Sequence, residues 1–266
     1  MSRGLLSEEQ LKEIAARLPE LNSINHVLMP TPELIAMELG PKSRMPEAIV
    51  CLTDALRVAH EVRYALHEML AHLIWYRQDR GEPIEEAAIY FGRFYADDAA
   101  LRLYAAAEHV ANFIVGFLDL DQKVLKRHTK RCRSLNSVVG HYLIAERPDE
   151  PITKAVHHLV RDSNWAKTID YRDTWVHRQP PIVAGLGMAW KRGPRWVVTE
   201  RGYMLPFGTD GDTPSLTVDE LTKIVLSANE AFIEMMSRIV DILVEFLAKQ
   251  GFDLDLTEGE ISTRIP

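Results

Sequence analysis

Apolar residues recur at helical spacing along most of the chain, and this pattern predicts a protein built mainly of α-helices. In the clearest run, from Pro46 to about Asp79, isoleucine, leucine, valine or alanine returns every three or four residues. Further helices are predicted over about 84–118, 121–145, 151–178 and 218–249. Capping boxes open the first and last helices, Ser7-Glu-Glu-Gln10 and Thr217-Val-Asp-Glu220. Helices joined by short loops favour an antiparallel bundle.

Residues 182–215 interrupt the helical pattern, because glycines punctuate them and Pro180-Pro181 precedes them. Within this segment, the stretch from Arg195 to Leu205 is typical of a β-hairpin that turns near Gly202. The expected fold class is therefore all-α, an antiparallel helical bundle with one hairpin insertion at about 191–207. We expect the bundle over residues 46–250, an N-terminal helical extension over 1–45, and a C-terminal tail over 251–266.

Composition narrows the class of protein without identifying it. The chain has 266 residues and only two cysteines, Cys51 and Cys132, which excludes a disulfide framework or a cysteine-based zinc site. No apolar run reaches the roughly 18 residues of a membrane helix, and the N-terminus lacks the apolar core of a signal peptide, so we expect a cytoplasmic protein. The net charge of −7 argues against a generic polyanion binder, so any nucleic-acid site would be a local basic patch.

Several common chemistries find little support in the residue spacing. Di-iron bundles use Glu-x-x-His pairs, and none of the ten histidines has a glutamate three residues before it. The pairs Glu68/His72 and His158/Asp162 share helical faces, but such contacts arise commonly between residues four apart. Neither a dinucleotide-binding glycine motif nor a nucleophile elbow is present. We therefore expect no metal and no cofactor.

A basic stretch follows Asp121. At about 100° per residue its cations cover one broad helix face, opposite the apolar residues that include Leu125 and Leu135. Such a face is either simply solvated or binds a phosphate backbone without reading its sequence. The candidate RNA-binding residues are Lys123, Lys126, Arg127, Lys130, Arg131 and Arg133.

The most informative segment is Asp170-Tyr-Arg-Asp-Thr-Trp-Val-His-Arg-Gln-Pro-Pro181. In it Arg172 is followed directly by Asp173 and five residues later by His177, at the end of a predicted helix. Histidine titrates near neutral pH and serves as a general acid or base. Arginine keeps its charge and grips two phosphoryl oxygens at once. Together they suit the metal-free cleavage of RNA, which needs a base, an acid and a cation for the phosphorane.

This segment resembles the Arg-[Asn/Asp/His]-x3-His signature of the HEPN superfamily (higher eukaryotes and prokaryotes nucleotide-binding domain). The specific resemblance covers about eight residues, Tyr-Arg-Asp-x-x-Val-His-Arg, and the family's fold is also an antiparallel helical bundle. Many members are metal-independent endoribonucleases, among them toxins and CRISPR-associated effectors, and usually work as dimers. The resemblance implies catalytic roles for Arg172 and His177, with Asp173 at the polar position between them. A cognate antitoxin or nucleotidyltransferase partner is a further expectation.

Helical geometry sets a condition on this site. Positions five apart differ by about 140° on an ideal helix, so Arg172 and His177 should diverge. Either the helix unwinds near His177, or a second subunit completes the site. Asp173 and His177 share a face, which on one continuous helix aligns with the apolar stripe Ile152, Ala155, Leu159 and Ala166. Arg172 falls on the flank of Trp165, Ile169 and Val176, which we expect at or near a homodimer interface.

Three other interpretations stay open from the sequence. In the first, the domain is a HEPN-like module that binds a nucleotide, an RNA or a protein without cleaving it. Alternatively it is an unrelated helical enzyme. In the third interpretation, Arg172 and Asp173 belong to a surface ion-pair network, and His177 caps the end of a helix, where the helix dipole favours a histidine.

Overall fold

The structure is a computed structural model that describes residues 6–21, 39, 42–79, 81–125, 137–177, 181, 183–185, 196–198, 202, 204–206, 216–255 and 260–263. These residues are predominantly helical, which confirms the all-α prediction. The helices are α1 (Glu8–Ala16), α2 (Met45–Ile74), α3 (Glu85–Phe117), α4 (Gln122–Leu125), α5 (Ser137–Glu146), α6 (Pro151–Arg161), α7 (Ser163–His177) and α8 (Val218–Lys249).

Both predicted capping boxes are formed. The Ser7 hydroxyl accepts from the backbone N–H of Gln10, and the Gln10 side chain accepts from the backbone of Ser7 at 2.9 Å. Thr217 and Glu220 make the same reciprocal pair at the start of α8. These contacts satisfy backbone donors that the first helical turn leaves without partners, so the sequence signal locates both helix starts.

Helices α2 and α3 pack antiparallel along their whole lengths. A Cβ at Gly92 would lie 2.9 Å from the Leu73 side chain, and a Cβ at Gly116 would lie 2.8 Å from that of Ala48. The end of α2 therefore meets the start of α3, and the start of α2 meets its end. Glycine at both positions allows the close approach. After Ile74 a π-helical turn, Trp75–Asp79, leads into the connection.

The core runs through α2, α3, α6, α7 and α8, and α8 packs against α3, α6 and α7. Trp165, Phe113 and Phe232 are its largest fully buried side chains, and the Trp165 ring stacks on Phe232 with centroids 5.8 Å apart. Helix α1 contacts α2, and its segment buries Ile14 and Leu18. The boundaries expected at residues 45 and 250 stay a prediction.

The strands form two short antiparallel pairs. Strand β1 (Trp196–Val198) pairs with β2 (Met204–Pro206), with Val197 opposite Leu205. Strand β3 (Phe252–Asp255) pairs with β4 (Glu260–Thr263), in the segment expected to be a tail. Much of the predicted insertion at 191–207 lies outside the described residues, so its extent stays a prediction.

One helix predicted to be continuous is interrupted in the structure, so that prediction is wrong. The expected helix over 151–178 divides at Asp162 into α6 and α7. Asp162 has extended backbone angles, and its Oδ1 accepts from the backbone N–H groups of Asn164 at 2.9 Å and Trp165 at 2.7 Å. An aspartate in this position caps the next helix, so it stops one helix and begins another. None of the helices within the described ranges is both long and apolar enough to span a membrane.

Candidate functional site

Helix α7 carries all three residues of the motif, and α3 supports it. The cap at Asp162 separates α7 from α6, so the two helices do not share one continuous helical face. The side chains that α7 buries are those of Trp165, Thr168, Ile169 and Tyr171, whereas Ala166 is exposed. The expected alignment of Asp173 and His177 with the apolar stripe of Ile152, Ala155, Leu159 and Ala166 is therefore wrong.

Arg172 is the best-defined residue of the motif. Its guanidinium carbon lies 3.8 Å from the centroid of the Tyr104 ring on α3, and only 17% of its side chain is exposed. Its Nη1 donates to Asp173 Oδ1 at 2.9 Å. Within the described part of the chain this is its one hydrogen bond, and the buried Nε has no partner. A guanidinium has five N–H donors, so the described residues accept from only a small part of its hydrogen-bonding capacity.

Asp173 and His177 lie closer to solvent. Asp173 is half-buried and pairs with Arg172, so the structure shows it as an anchor of the arginine. His177 is exposed and is the last residue of α7. The helix is regular up to His177, so it does not unwind to bring the histidine towards Arg172. Five residues of α-helix separate the two by about 140° and about 7.5 Å along the axis.

The contacts that fix α7 on α3 were not predicted from the sequence. Asp97 of α3, which is mostly buried, accepts a hydrogen bond from the Tyr171 hydroxyl and another from Trp175 Nε1 at 3.1 Å. Arg93 Nε lies 3.5 Å from the same carboxylate. Burial raises the pKa of Asp97, although its three partners oppose the shift. Burial and the nearby Asp97 also raise the pKa of Tyr171 well above its usual range.

A faint signal for this cluster existed in the sequence. Tyr171 and Trp175 are four apart on one helix, so their polar atoms point in a common direction. Nothing in the sequence indicated Asp97 as their partner, because it lies 74 residues before Tyr171. The motif's tyrosine thus anchors the helix that presents Arg172.

Only part of the α7 flank that we expect at a homodimer interface is exposed. Trp165 and Ile169 are buried in the chain's own core, and their expected place at or near a homodimer interface stays a prediction. Trp175 and Val176 are exposed by 37% and 42%. On α3, one turn before Asp97, Phe94 is 57% exposed. Exposed apolar side chains therefore lie near the end of α7, closer to His177 than predicted, and α3 carries a further one at Phe94.

The predicted basic face lies mostly beyond what the structure describes. Lys123 is exposed and its backbone N–H donates to Asp121 Oδ1 at 2.7 Å. The other residues of that face fall outside the described residues: Lys126, Arg127, Lys130, Arg131 and Arg133.

A second titratable cluster lies inside the helix pair. Glu68 and His72 of α2 are both buried, and His72 Nε2 lies 3.7 Å from Glu68 Oε2. The imidazole stacks on Phe91 and Tyr95 with centroids 4.8 Å and 5.3 Å apart. Burial lowers the pKa of His72, although Glu68 opposes the shift. This environment favours a neutral histidine, since burial removes the water that would stabilise the charged imidazolium.

Comparison of the chain with protein-family models, with curated proteins and with solved structures finds no match. Among the residues that the structure describes, no three histidine, cysteine, aspartate or glutamate side chains group as they would around a metal ion.

Proposed function

We propose that the protein is a metal-independent endoribonuclease of the HEPN type, in which Arg172 and His177 are the catalytic residues. The observation that carries the proposal is the state of Arg172. Its guanidinium is held against Tyr104 and Asp173 while most of its donors are unused within the described part of the chain. An arginine that only stabilised the fold would be expected to give more of these donors to its neighbours, because buried polar groups are normally paired.

In the proposed reaction the 2′-hydroxyl of one nucleotide attacks the adjacent phosphorus in line. The bond to the leaving 5′-oxygen breaks, which yields a 2′,3′-cyclic phosphate and a 5′-hydroxyl. His177 accepts the proton of the attacking 2′-hydroxyl as a general base, and the leaving 5′-oxygen takes up a proton from the imidazolium so formed or from water. Arg172 stabilises the charge that develops on the phosphorane, and Asp173 orients Arg172. The basic face from Lys123 to Arg133 would hold the RNA backbone.

A second copy of the chain completes this site. Arg172 and His177 diverge on one regular helix, so a two-fold axis near the end of α7 is needed to bring an arginine and a histidine together. The exposed side chains of Trp175 and Val176 near the end of α7, and that of Phe94 on α3, suit such a contact, because an interface core is enriched in aromatic residues. The proposal therefore includes an antiparallel HEPN-type bundle that works as a homodimer. An antitoxin or nucleotidyltransferase would be an additional partner.

One observation favours a second candidate function. His177 is exposed and stands apart from Arg172 within the chain. If no second copy supplies a histidine, Arg172 remains an anion-binding residue without an acid or base. The chain would then be a HEPN-like module that binds a nucleotide, an RNA or a protein partner without cleaving it.

The deciding experiment compares wild type with Arg172→Ala and His177→Ala on labelled single-stranded RNA, with and without EDTA. We expect cleavage that persists in EDTA and falls about 10²–10⁴-fold in His177→Ala, with a loss of similar or larger size in Arg172→Ala. Arg161→Ala and His158→Ala are matched controls, because both side chains are exposed on the neighbouring helix α6. Equal rates for wild type and His177→Ala would refute the ribonuclease and leave the binding module.

Mixing the two inactive variants tests the shared site. If each site combines Arg172 of one protomer with His177 of the other, a mixed dimer regains one intact site of two. Random exchange should then restore about a quarter of the wild-type rate, since about half the dimers are mixed. Sedimentation of wild type as a monomer at micromolar concentration, or no recovery on mixing, would contradict the shared site.

A further inference from the structure

The guanidinium of Arg172 rests on a residue outside the motif. Its central carbon lies 3.8 Å from the ring centroid of Tyr104, which is well within the range of a cation–π contact. Tyr104 belongs to α3, whereas Arg172 belongs to α7. The contact is therefore a tertiary one, between the two helices that the hydrogen bonds of Asp97 also join.

The ring and Asp173 constrain different parts of the same cation. Tyr104 covers a face of the guanidinium, and Asp173 holds it by an edge, through Nη1 at 2.9 Å. Nε is buried. An unrestrained arginine side chain has large rotamer freedom, which is lost when it grips a phosphate. Because these two contacts fix the plane of the guanidinium before a phosphate binds, the side chain loses less rotamer freedom on binding.

The hydroxyl of Tyr104 has a separate partner. It interacts with the Glu108 carboxylate one turn later on α3. Burial and Glu108 raise the pKa of Tyr104, and the charge of Arg172 opposes the shift. The ring alone contacts Arg172, so phenylalanine should replace tyrosine in this contact while an aliphatic residue should not.

We propose that Tyr104 is a positioning residue that holds the Arg172 guanidinium for a phosphoryl group of the RNA. The inference rests on the proposed function, and it adds a residue from another helix to the site. It assigns Tyr104 no chemical step.

The test compares Tyr104→Phe, Tyr104→Leu and Tyr104→Met in the full chain, by two independent measurements. The first is the NMR shift of the Arg172 Nε proton without RNA, assigned with Arg172→Ala. A ring face above the guanidinium moves this resonance upfield, so we expect the shift in wild type and Tyr104→Phe and its loss in both aliphatic variants. Thermal unfolding identifies a variant that fails to fold, and the second aliphatic side chain guards against that outcome.

The second measurement is RNA cleavage. We expect kcat/KM within about 2-fold of wild type for Tyr104→Phe and about 3- to 30-fold lower for the aliphatic variants, the range of a cation–π attraction. In an Arg172→Ala background the aliphatic substitution should have no further effect, because a positioning residue acts through its target.

The outcomes separate the two proposals. An unchanged Arg172 shift in the aliphatic variants, or cleavage equal to that of wild type, would overturn the role of Tyr104. An additive loss in the Arg172→Ala background would also overturn it. If Arg172→Ala itself cleaves like wild type, the proposed function fails, and the role of Tyr104 in positioning a catalytic arginine fails with it. The NMR shift then still reports whether the ring contact exists.

Discussion

Replacing Tyr171 with phenylalanine should weaken the fold through one buried contact. The substitution keeps the ring and removes only the hydroxyl that donates to Asp97. Asp97 has 15% of its side chain exposed, so water only partly replaces the lost donor. A buried acceptor that loses its partner costs about 1–3 kcal/mol. Trp175 and Arg93 remain as partners of the other carboxylate oxygen of Asp97. We therefore expect a cost near the middle of this range, about 2 kcal/mol.

Urea unfolding followed by circular dichroism measures this cost. The midpoint should fall while the slope with denaturant stays unchanged, because the surface exposed on unfolding is the same. In a thermal melt a loss of about 2 kcal/mol corresponds to a decrease of about 4–8 °C for a chain of this size. Tyr90→Phe is the matched control, since Tyr90 is 57% exposed on the same helix as Asp97 and should change stability by less than about 0.5 kcal/mol.

A double-mutant cycle then isolates the contact. In an Asp97→Ala background, Tyr171→Phe should cost much less than in wild type, with a coupling of about 0.5–3 kcal/mol. The reasoning is refuted if Tyr171→Phe costs the same in both backgrounds, or if it is no more harmful than Tyr90→Phe. Either result would mean that the Asp97 contact does not fix α7 on α3.

Two further predictions concern local structure. Asp162→Ala should destabilise the protein by about 0.5–2 kcal/mol because α7 loses its N-cap, and Asp162→Asn should retain most of the stability; equal effects in urea unfolding would argue against the cap. Burial lowers the pKa of His72 in the folded protein. Above the ordinary histidine pKa the imidazole is neutral and His72 makes its full contribution to stability. This contribution is lost as pH falls through the lower folded pKa. The difference in unfolding free energy between wild type and His72→Gln should therefore narrow below about pH 6.5, and a difference that widens on acidification would contradict the buried neutral state.

Features that depend on residues near each other in the chain were predictable from the sequence. The capping boxes at Ser7 and Thr217 located two helix starts, because their hydrogen bonds span only three residues. Apolar spacing predicted the long helices α2, α3 and α8, since each needs a continuous buried face. Apolar spacing did not predict the break at Asp162, because the spacing continues across that residue. The cap is identified only by the hydrogen bonds that two backbone N–H groups donate to the Asp162 side chain.

The side chains that surround the motif depend on how the helices pack together. The 140° divergence of Arg172 and His177 followed from helical geometry, but the choice between a broken helix and a regular one did not. Which flank of α7 is buried depended on its packing against α8, where Trp165 stacks on Phe232. The partners of Tyr171 and Arg172, Asp97 and Tyr104, come from a distant helix, and such pairs leave no local pattern because only the folded chain brings them together.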